Sequence, residues 1–306
     1  MTRRVFDAYA ALDFSARATP SPVKPSADAV WLGTAGASGA VRTTYCRTRQ
    51  QGWEALRQWV RRQRREGRRV LIGVDFALGF PSGFARAAGM HRSRVAPWRL
   101  VWNEIGGLVL DQANNRNNRA EVAASLNQRV APQNQPGPFW GMKPTSAAAR
   151  LALRRGFDWP YGEQGLARLR LTEQRCPGTQ EVWKLGGIGS VGGQTLLGIA
   201  GLAQLLREPG FDGLRVWPFE TGFSVPGRSD AAGVVAEVFP SLLREEVSRA
   251  VERGVIRDQA QVRAWCRWAR REDAAGRLAG FFAEPRGLTR SQQRACVREE
   301  GWVLGV

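Results

Sequence analysis

Histidine, lysine and cysteine are scarce in this sequence, and their scarcity excludes several kinds of site. The chain of 306 residues has one histidine, His91, and four cysteines. The cysteines form no C-x-x-C pair and are scattered over positions 46, 176, 266 and 296. A metal site built from histidine and cysteine is therefore not expected. One imidazole also gives no basis for a Ser/His/Asp triad, so an enzyme of this composition would favour metal-bound water as its nucleophile.

Long apolar runs are missing as well. No run approaches the roughly 18 residues that a helix needs to cross a bilayer. The N-terminal stretch carries two arginines, but Asp7 interrupts the apolar segment that a signal peptide requires. We therefore expect a cytoplasmic protein that has no membrane partner.

Arginine supplies most of a large positive charge. Lysine and arginine together number 45 against 27 acidic residues, which gives a net charge of +18 and a pI near 11.3. The only lysines are Lys24, Lys143 and Lys184. Arginine bias can reflect genomic base composition, yet an excess of this size favours a polyanionic partner, nucleic acid first.

The first eighty residues predict the element order β-β-β-α-β. Alternating or continuous apolar runs predict strands over 8–16, 29–36, 41–48 and 70–74, and an apolar stripe with helical spacing predicts a helix over 51–66. The first three strands can form an antiparallel meander. The helix is then a crossover to the fourth strand, which ends on Asp75.

The rest of the chain predicts one domain with an insertion. Residues 84–215 contain mainly helical patterns and form the predicted insertion within a single domain over 1–306. A short strand is also predicted over 181–185. A strand over 233–240 and helices over 241–254 and 258–273 follow the insertion.

Five acidic residues lie at the ends of predicted strands and of one predicted helix. Asp13, Asp75 and Glu237 lie at or near the ends of apolar strands, whereas Asp258 and Asp273 begin and end a late helix. Carboxylates gathered from separate elements can hold a pair of Mg²⁺ or Mn²⁺ ions about 3.5–4 Å apart for phosphodiester chemistry. A strand-end aspartate is also a common turn residue or helix cap, so a purely structural role stays open.

This arrangement resembles the ribonuclease H-like superfamily. The resemblance is carried by the order β-β-β-α-β, with an aspartate on the first strand and another at the end of the fourth. It implies an α/β fold with a mixed sheet and a divalent-metal-dependent nuclease acting on DNA or RNA. Asp13 and Asp75 match the first-strand and fourth-strand acids, and either Asp258 or Asp273 matches the late-helix acid. Glu237 is similar to a further strand acid in an uncharacterised bacterial branch.

The implied metal ligands are Asp13, Asp75, Glu237 and Asp258, and Asp273 is added to the catalytic set. A wider pattern also resembles a little-characterised bacterial family whose automatic labels mention cobalamin or molybdopterin-cofactor biosynthesis. This pattern consists of ALDFSAR, GVDFALGFPSGF, NNRNNRAEVA, GPFWG, GGIGSVGGQ, WPFETGF and AEVFPSL. The residues give no chemical basis for those labels.

Three segments are candidates for contact with nucleic acid. These are the arginine-rich helix end 61–69, the amide-rich stretch 114–119 and the glycine-rich stretch 186–193. The last has the form of a dinucleotide fingerprint, but a tight turn or a phosphate-holding helix start explains it as well. The candidate binding residues are Arg61, Arg64, Arg65, Asn115, Arg116, Asn118, Arg119, Lys184, Gly189 and Ser190.

Two other functions remain open at this point. Actin-like ATPases resemble the same core and place small hydroxyl residues after the first-strand acid, as in the sequence Asp13-Phe14-Ser15, which would indicate nucleotide binding or phosphotransfer. A non-catalytic nucleic-acid-binding protein would keep the fold and the charge without holding metal. If Asp75 is catalytic, its strand should lie beside the first strand, with the arginines upstream of it at the far edge.

Overall fold

The computed structural model describes residues 4–131, 135–142, 156–163, 165–187, 189–227, 229 and 231–306. The described strands are β1 (Ala8–Asp13), β2 (Val30–Gly36), β3 (Arg42–Cys46), β4 (Val70–Val74), β5 (Leu214–Trp217) and β6 (Gly233–Glu237). They form one mixed sheet in the order β3-β2-β1-β4-β6-β5. β1, β2 and β3 pair antiparallel, whereas β1, β4, β6 and β5 run parallel. The predicted α/β fold with a mixed sheet is therefore confirmed.

The helices follow the predicted pattern in most places. Those described are α1 (Arg49–Arg65), α2 (Phe84–Ala87), α3 (Pro97–Leu108), α4 (Arg119–Val130), α5 (Leu171–Arg175), α6 (Val191–Arg207), α7 (Arg244–Glu252), α8 (Arg257–Ala274), α9 (Leu278–Phe281) and α10 (Arg290–Ala295). A 3₁₀ turn at Pro240–Leu243 precedes α7, and a π turn at Cys296–Glu300 follows α10. None of the described helices is long and apolar enough to cross a membrane.

The strand predicted over 181–185 was wrong. In the structure this segment is a turn, joined to Trp140 by a single bridge at Lys184. Its apolar side chains are buried in the core, but its backbone does not pair with a strand of the sheet. A short apolar run cannot by itself distinguish these two kinds of burial.

Strand alternation gives the sheet two buried faces. Ala10, Leu12 and Ile72 point to one face, where the predicted apolar stripe of α1 packs. Ala11 and Leu71 point to the other face, which α8 covers. Successive side chains on a strand alternate between faces, so each face can be read from the sequence once one residue is placed. This alternation decides which strand-end acids can meet.

The predicted insertion shares the core of the sheet. α3 packs against α6, and Trp102 and Leu197 belong to the same apolar cluster as Leu12 of β1. The indole N–H of Trp102 also donates to the carbonyl of Leu78, at 2.8 Å. Parts of the predicted insertion, namely 132–134, 143–155, 164 and 188, lie outside the described residues.

α8 approaches the sheet closely at Gly33 of β2. A Cβ placed on Gly33 would stand 2.7 Å from the carbonyl oxygen and 2.9 Å from the Cβ of Val262 in α8. Side chains do not tolerate such distances, so glycine permits the helix to lie directly on the strand. The position of α8, and of the acid in its first turn, depends on this contact.

We expect Gly33→Ala to lower the free energy of unfolding by about 1–3 kcal/mol, the usual cost of overpacking. Gly36→Ala is the matched control on the same strand, because its added Cβ would meet only the carbonyl oxygen of Ser38 at 3.6 Å. Urea unfolding of the two variants measures the difference. Equal losses would contradict the close packing of α8 on β2.

Candidate active site

The pairing of β1 with β4 sets Asp13 beside Asp75. The two strands are parallel, with Leu12 opposite Val74, and the backbone N–H of Asp75 extends the ladder by donating to Leu12 at 3.0 Å. Neighbouring strands lie about 4.8 Å apart. The predicted adjacency of the two strands is confirmed, and both acids lie at the carboxyl edge of the sheet.

Both aspartates also belong to the same face. Asp13 follows the alternation of Ala11, and Asp75 follows that of Leu71, so both point to the side that α8 covers. Asp13 is 8% exposed, whereas Asp75 is partly exposed. The site therefore has one buried acid and one acid that solvent reaches.

α8 brings a third acid to this edge. Asp258 lies in the first turn of α8, and its Oδ2 accepts the backbone N–H of Ala29, just before β2, at 3.4 Å. Asp258 lies within this first turn and is not the N-cap residue, which is Ile256. A carboxylate in the first turn still gains from the helix dipole. Since β2 runs antiparallel to β1, its start lies at the edge where β1 ends.

Burial and nearby carboxylates raise the pKa of all three aspartates. Burial raises the pKa of Asp13 well above its usual range, and the charges of Asp75 and Asp258 raise it further. Burial, followed by the charges of Glu237 and Asp258, raises the pKa of Asp75 to about 7. Burial also raises the pKa of Asp258, and backbone N–H groups of Ala29 and Asp28 partly offset it. The cluster holds like charges at a free-energy cost that a bound cation would relieve.

Glu237 has a different partner. Its place in the alternation of β6 sets it with Val235 on the face opposite the aspartates. Arg170 donates to both its carboxylate oxygens, at 2.8 and 2.5 Å, and the backbone N–H of Leu78 donates at 3.0 Å. The structure thus pairs Glu237 with a buried arginine in place of the predicted metal.

Arg170 is the centre of a buried ionic group. It is 1% exposed and binds Glu173 as well as Glu237 and the carbonyl of Glu300. One positive charge therefore faces two buried carboxylates. This excess of negative charge explains why Glu237 contributes to the raised pKa of Asp75 although its own oxygens are occupied.

Asp273 is not part of the site. It stands fifteen residues after Asp258 on one helix, which at about 1.5 Å per residue is a separation of about 22 Å. Its carboxylate accepts the backbone N–H groups of Val5 and Phe6, both at 2.8 Å, and the hydroxyl of Tyr9 at 2.7 Å. Its predicted catalytic role is corrected to an anchor for the segment before β1, so Asp258 is the late-helix acid that reaches the aspartates.

The amides of the stretch 114–119 serve the fold. Asn115 is 2% exposed at φ 70°, accepts the backbone N–H of Arg49 at 2.9 Å and donates to the carbonyl of Thr19 at 3.1 Å. Asn118 accepts from Leu110 and donates to Leu108, after the end of α3. Their predicted contact with nucleic acid is therefore corrected, because their polar atoms are already bonded within the chain.

The remaining basic candidates lie in separate parts of the structure. Arg61, Arg64 and Arg65 lie in the last turns of α1, which precede the start of β4, and so face the sheet edge opposite Asp75. Arg61 stacks on Phe211, and Arg64 donates to the carbonyl of Gly210. Arg116 is exposed. Lys184 lies over the ring of Trp140, at 5.6 Å.

Another group of candidates lies at a cavity of about 690 Å³, beside the segment that follows Asp13. Three predicted residues, Arg119, Gly189 and Ser190, line this cavity. Two residues that the sequence analysis missed, Arg17 and Asp28, line it as well. Both belong to the linker after β1, and no sequence pattern marked them as functional. In the structure, the hydroxyl of Ser15 donates to Asp28 at 2.9 Å.

Arg49 was also missed, although it fixes this linker. It is 0% exposed and donates to the carbonyls of Ser15 and Arg17, at 3.0 and 2.6 Å, and to both oxygens of Asp111. A lone arginine at a helix start gave no sign of burial in the sequence. Its contacts hold the residues after Asp13 in one path.

The carboxylate oxygens of the aspartates are suitable ligands for Mg²⁺ or Mn²⁺, which prefer oxygen ligands of this kind. Across the part of the chain that the structure describes, however, no three His, Cys, Asp or Glu side chains are arranged to hold a metal ion as they stand. Side chains of the cluster would therefore have to turn toward one another around a cation. Asp75 has the solvent access that such a movement requires.

Comparison with known proteins found no match. No protein-family model and no curated protein matches the sequence, and no solved structure matches the fold.

The raised pKa of Asp75 predicts a pH dependence of stability. Between its ordinary pKa of 3.8 and its folded value of about 7, the folded state binds more protons than the unfolded state, so stability falls as pH rises. Asp75→Asn removes this titration. The variant should melt several degrees above the parent near pH 8 without divalent metal, and by a smaller margin near pH 5.

Thermal unfolding at the two pH values checks this prediction. Asp212→Asn is the control, because the side chain of Asp212 is 85% exposed and lies far from the cluster. A variant Asp75→Asn that melts below the parent near pH 8 would contradict the charge strain in the cluster.

The buried ionic group gives a second prediction. Arg170→Met should lower the free energy of unfolding by about 3–5 kcal/mol, because it leaves Glu173 and Glu237 buried without their cation. The double variant Arg170→Met/Glu237→Gln should recover part of this loss, since one uncompensated carboxylate is gone. Urea unfolding measures both. A single variant no less stable than the exposed control Arg249→Met would contradict the assignment.

Proposed function

We propose that this protein is a divalent-metal-dependent hydrolase that cleaves phosphodiester bonds of nucleic acid. The observation that carries the proposal is the meeting of Asp13, Asp75 and Asp258 at one sheet edge, each with a raised pKa. Such a cluster is costly for stability alone. Perturbed acids gathered at the carboxyl ends of parallel strands are typical of functional sites.

Each acid has a defined part in the proposal. Asp13, fixed between β2 and β4, and Asp75, at the end of β4, hold Mg²⁺ or Mn²⁺ from the sheet, and Asp258 adds a carboxylate from α8. The bound cations would activate water and stabilise the leaving oxygen. The close packing of α8 on Gly33 keeps the third acid in register with the other two.

Charge supports a nucleic-acid substrate. A phosphodiester is repelled by three carboxylates unless a cation neutralises them, which favours a metal in the site. The rest of the chain carries the opposite charge, with a net value of +18. A positive surface draws a polyanion toward the protein, and this attraction weakens as salt is added.

Cleavage assays on duplex DNA, single-stranded DNA and RNA test the proposal, each with Mg²⁺, with Mn²⁺ and with a chelator. Asp13→Asn and Asp75→Asn should lower kcat by roughly 100-fold or more, as expected when stabilisation of transition-state charge is lost. Asp212→Asn should cleave like the parent. The same nucleic acids should still bind to Asp75→Asn.

Metal binding provides an independent measurement. Mn²⁺ should raise the melting temperature of the parent and of Asp212→Asn, because a ligand of the folded state stabilises it by mass action. The rise should be absent or much smaller in Asp75→Asn. Cleavage that persists in Asp75→Asn after repurification, or that needs no divalent metal, would falsify the proposal.

A further inference from the structure

The cavity beside the linker after β1 contains two arginines that the acid cluster does not use. It holds about 690 Å³, a size typical of small-ligand pockets. Its polar lining residues are Arg17, Asp28, Arg119, Ser190 and Gln194. Two positive charges therefore stand against one carboxylate, that of Asp28.

Arg119 is buried with an unused donor. The residue is 8% exposed, and its Nη1 donates to Oδ1 of Asn117 at 2.8 Å. Its Nε is buried and, among the described residues, has no hydrogen-bond partner. A buried N–H without a partner costs free energy and calls for an explanation. Arg119 lines the adjoining cavity, and a small turn of its guanidinium toward an anion there would give this N–H a partner.

Arg17, which also lines the cavity, has a similar unused donor. Its Nε is likewise buried and without a partner among the described residues, and its Nη1 lies 3.8 Å from Asp28, at the limit of an ion pair. Arg49 holds the carbonyl of Arg17 at 2.6 Å, so the backbone that carries this guanidinium is fixed. Both arginines that carry an unused Nε donor therefore line the cavity, although the Nε atoms themselves are buried.

The start of α6 adds positive potential at the same cavity. α6 is 17 residues long, and its N-cap residue, Ser190, makes no side-chain capping bond. The N–H groups of Val191 and Gly192 are already donated to Gly189 and Lys184, at 3.1 and 2.9 Å. The contribution of α6 is therefore its dipole and the hydroxyl of Ser190.

Arg119 touches this first turn directly. A Cβ on Gly193 would stand 3.1 Å from Nε of Arg119, so the guanidinium packs against the helix start. A cation at the positive end of a helix dipole is unfavourable for the protein alone. The pair becomes favourable when an anion in the cavity contacts both the guanidinium and the helix start, because helix N-termini and arginines both favour phosphate.

The cavity also adjoins the acid cluster. Asp28, in its wall, accepts the hydroxyl of Ser15, two residues after Asp13, and its charge adds to the raised pKa of Asp13. A molecule held in the cavity would therefore have a neighbouring group close to the aspartates.

We propose that Arg119 and Arg17, with the start of α6 and Ser190, form a subsite for a phosphate group of the substrate. The forked guanidinium donors suit phosphate oxygens, and the cavity has room for more of the molecule than the phosphate. The inference rests on the proposed function in assigning this phosphate to the substrate of the acid cluster. The two sources of such a group are a free nucleotide and a nucleic-acid chain.

Calorimetric titration without divalent metal tests the subsite directly. The probes are inorganic phosphate, AMP and a short single-stranded oligonucleotide, at low ionic strength. Arg119→Gln and Arg17→Gln should each weaken binding of phosphate about tenfold or more, the usual loss for a charged hydrogen bond. Arg119→Lys should fall between the parent and Arg119→Gln, because it keeps the charge but loses the fork. Arg249→Gln, an exposed arginine on α7, should bind like the parent.

The outcomes separate the two proposals. Binding of phosphate that depends on Arg17 and Arg119 supports the subsite, even if the protein cleaves no nucleic acid. Absence of saturable binding, or binding unchanged in both glutamine variants, overturns it even if cleavage is observed. Arg17→Gln keeps the test decisive should Arg119→Gln fail to fold. Tighter binding of AMP than of the oligonucleotide identifies a nucleotide as the source, and the reverse order identifies a nucleic-acid chain.

Discussion

The parallel pairing of β1 with β4 is the constraint on which the candidate site depends. It brings Asp13 and Asp75 to the same edge of the sheet, and the register of Leu12 with Val74 turns both acids toward one face. Because side chains alternate with a period of two, a slip of one residue would send Asp75 to the opposite face. The apolar residues on both faces of these strands fix the register and therefore the site.

The acids of this chain differ in how their charge is balanced. Asp273 is satisfied by two backbone N–H groups and a hydroxyl, and Glu237 by a buried arginine, so both serve the fold. Asp13 and Asp75 form no salt bridge with any residue that the structure describes, and their pKa values are raised. All four acids lie near the end of a strand or helix, so their position does not distinguish those that serve the fold from Asp13 and Asp75. The groups that each carboxylate contacts do distinguish them.

This difference explains how far the sequence could lead. Alternation and apolar runs predict the strands, and with them the meeting of Asp13 and Asp75, because these features depend on residues close together in the chain. Arg170 and Glu237 are 67 residues apart, and Arg49 and Asn115 are 66 apart, so no local pattern joins them. Asn115 was misassigned for the same reason, because its amide donates to the carbonyl of Thr19, 96 residues away in the chain.

The placement of opposite charges also bears on how a substrate would lie. The aspartates make one part of the sheet edge negative, and the cavity lined by Arg17 and Arg119 makes the adjoining part positive. In the proposed function, a phosphate of the substrate would be attracted first to the cavity, and it would approach the acids only when cations reduce their charge. A substrate with several phosphates could then occupy both parts at once, with one group held by arginine while the next faces the aspartates. A single helix start and a single linker, both fixed by buried contacts, would then set which bond is presented for cleavage.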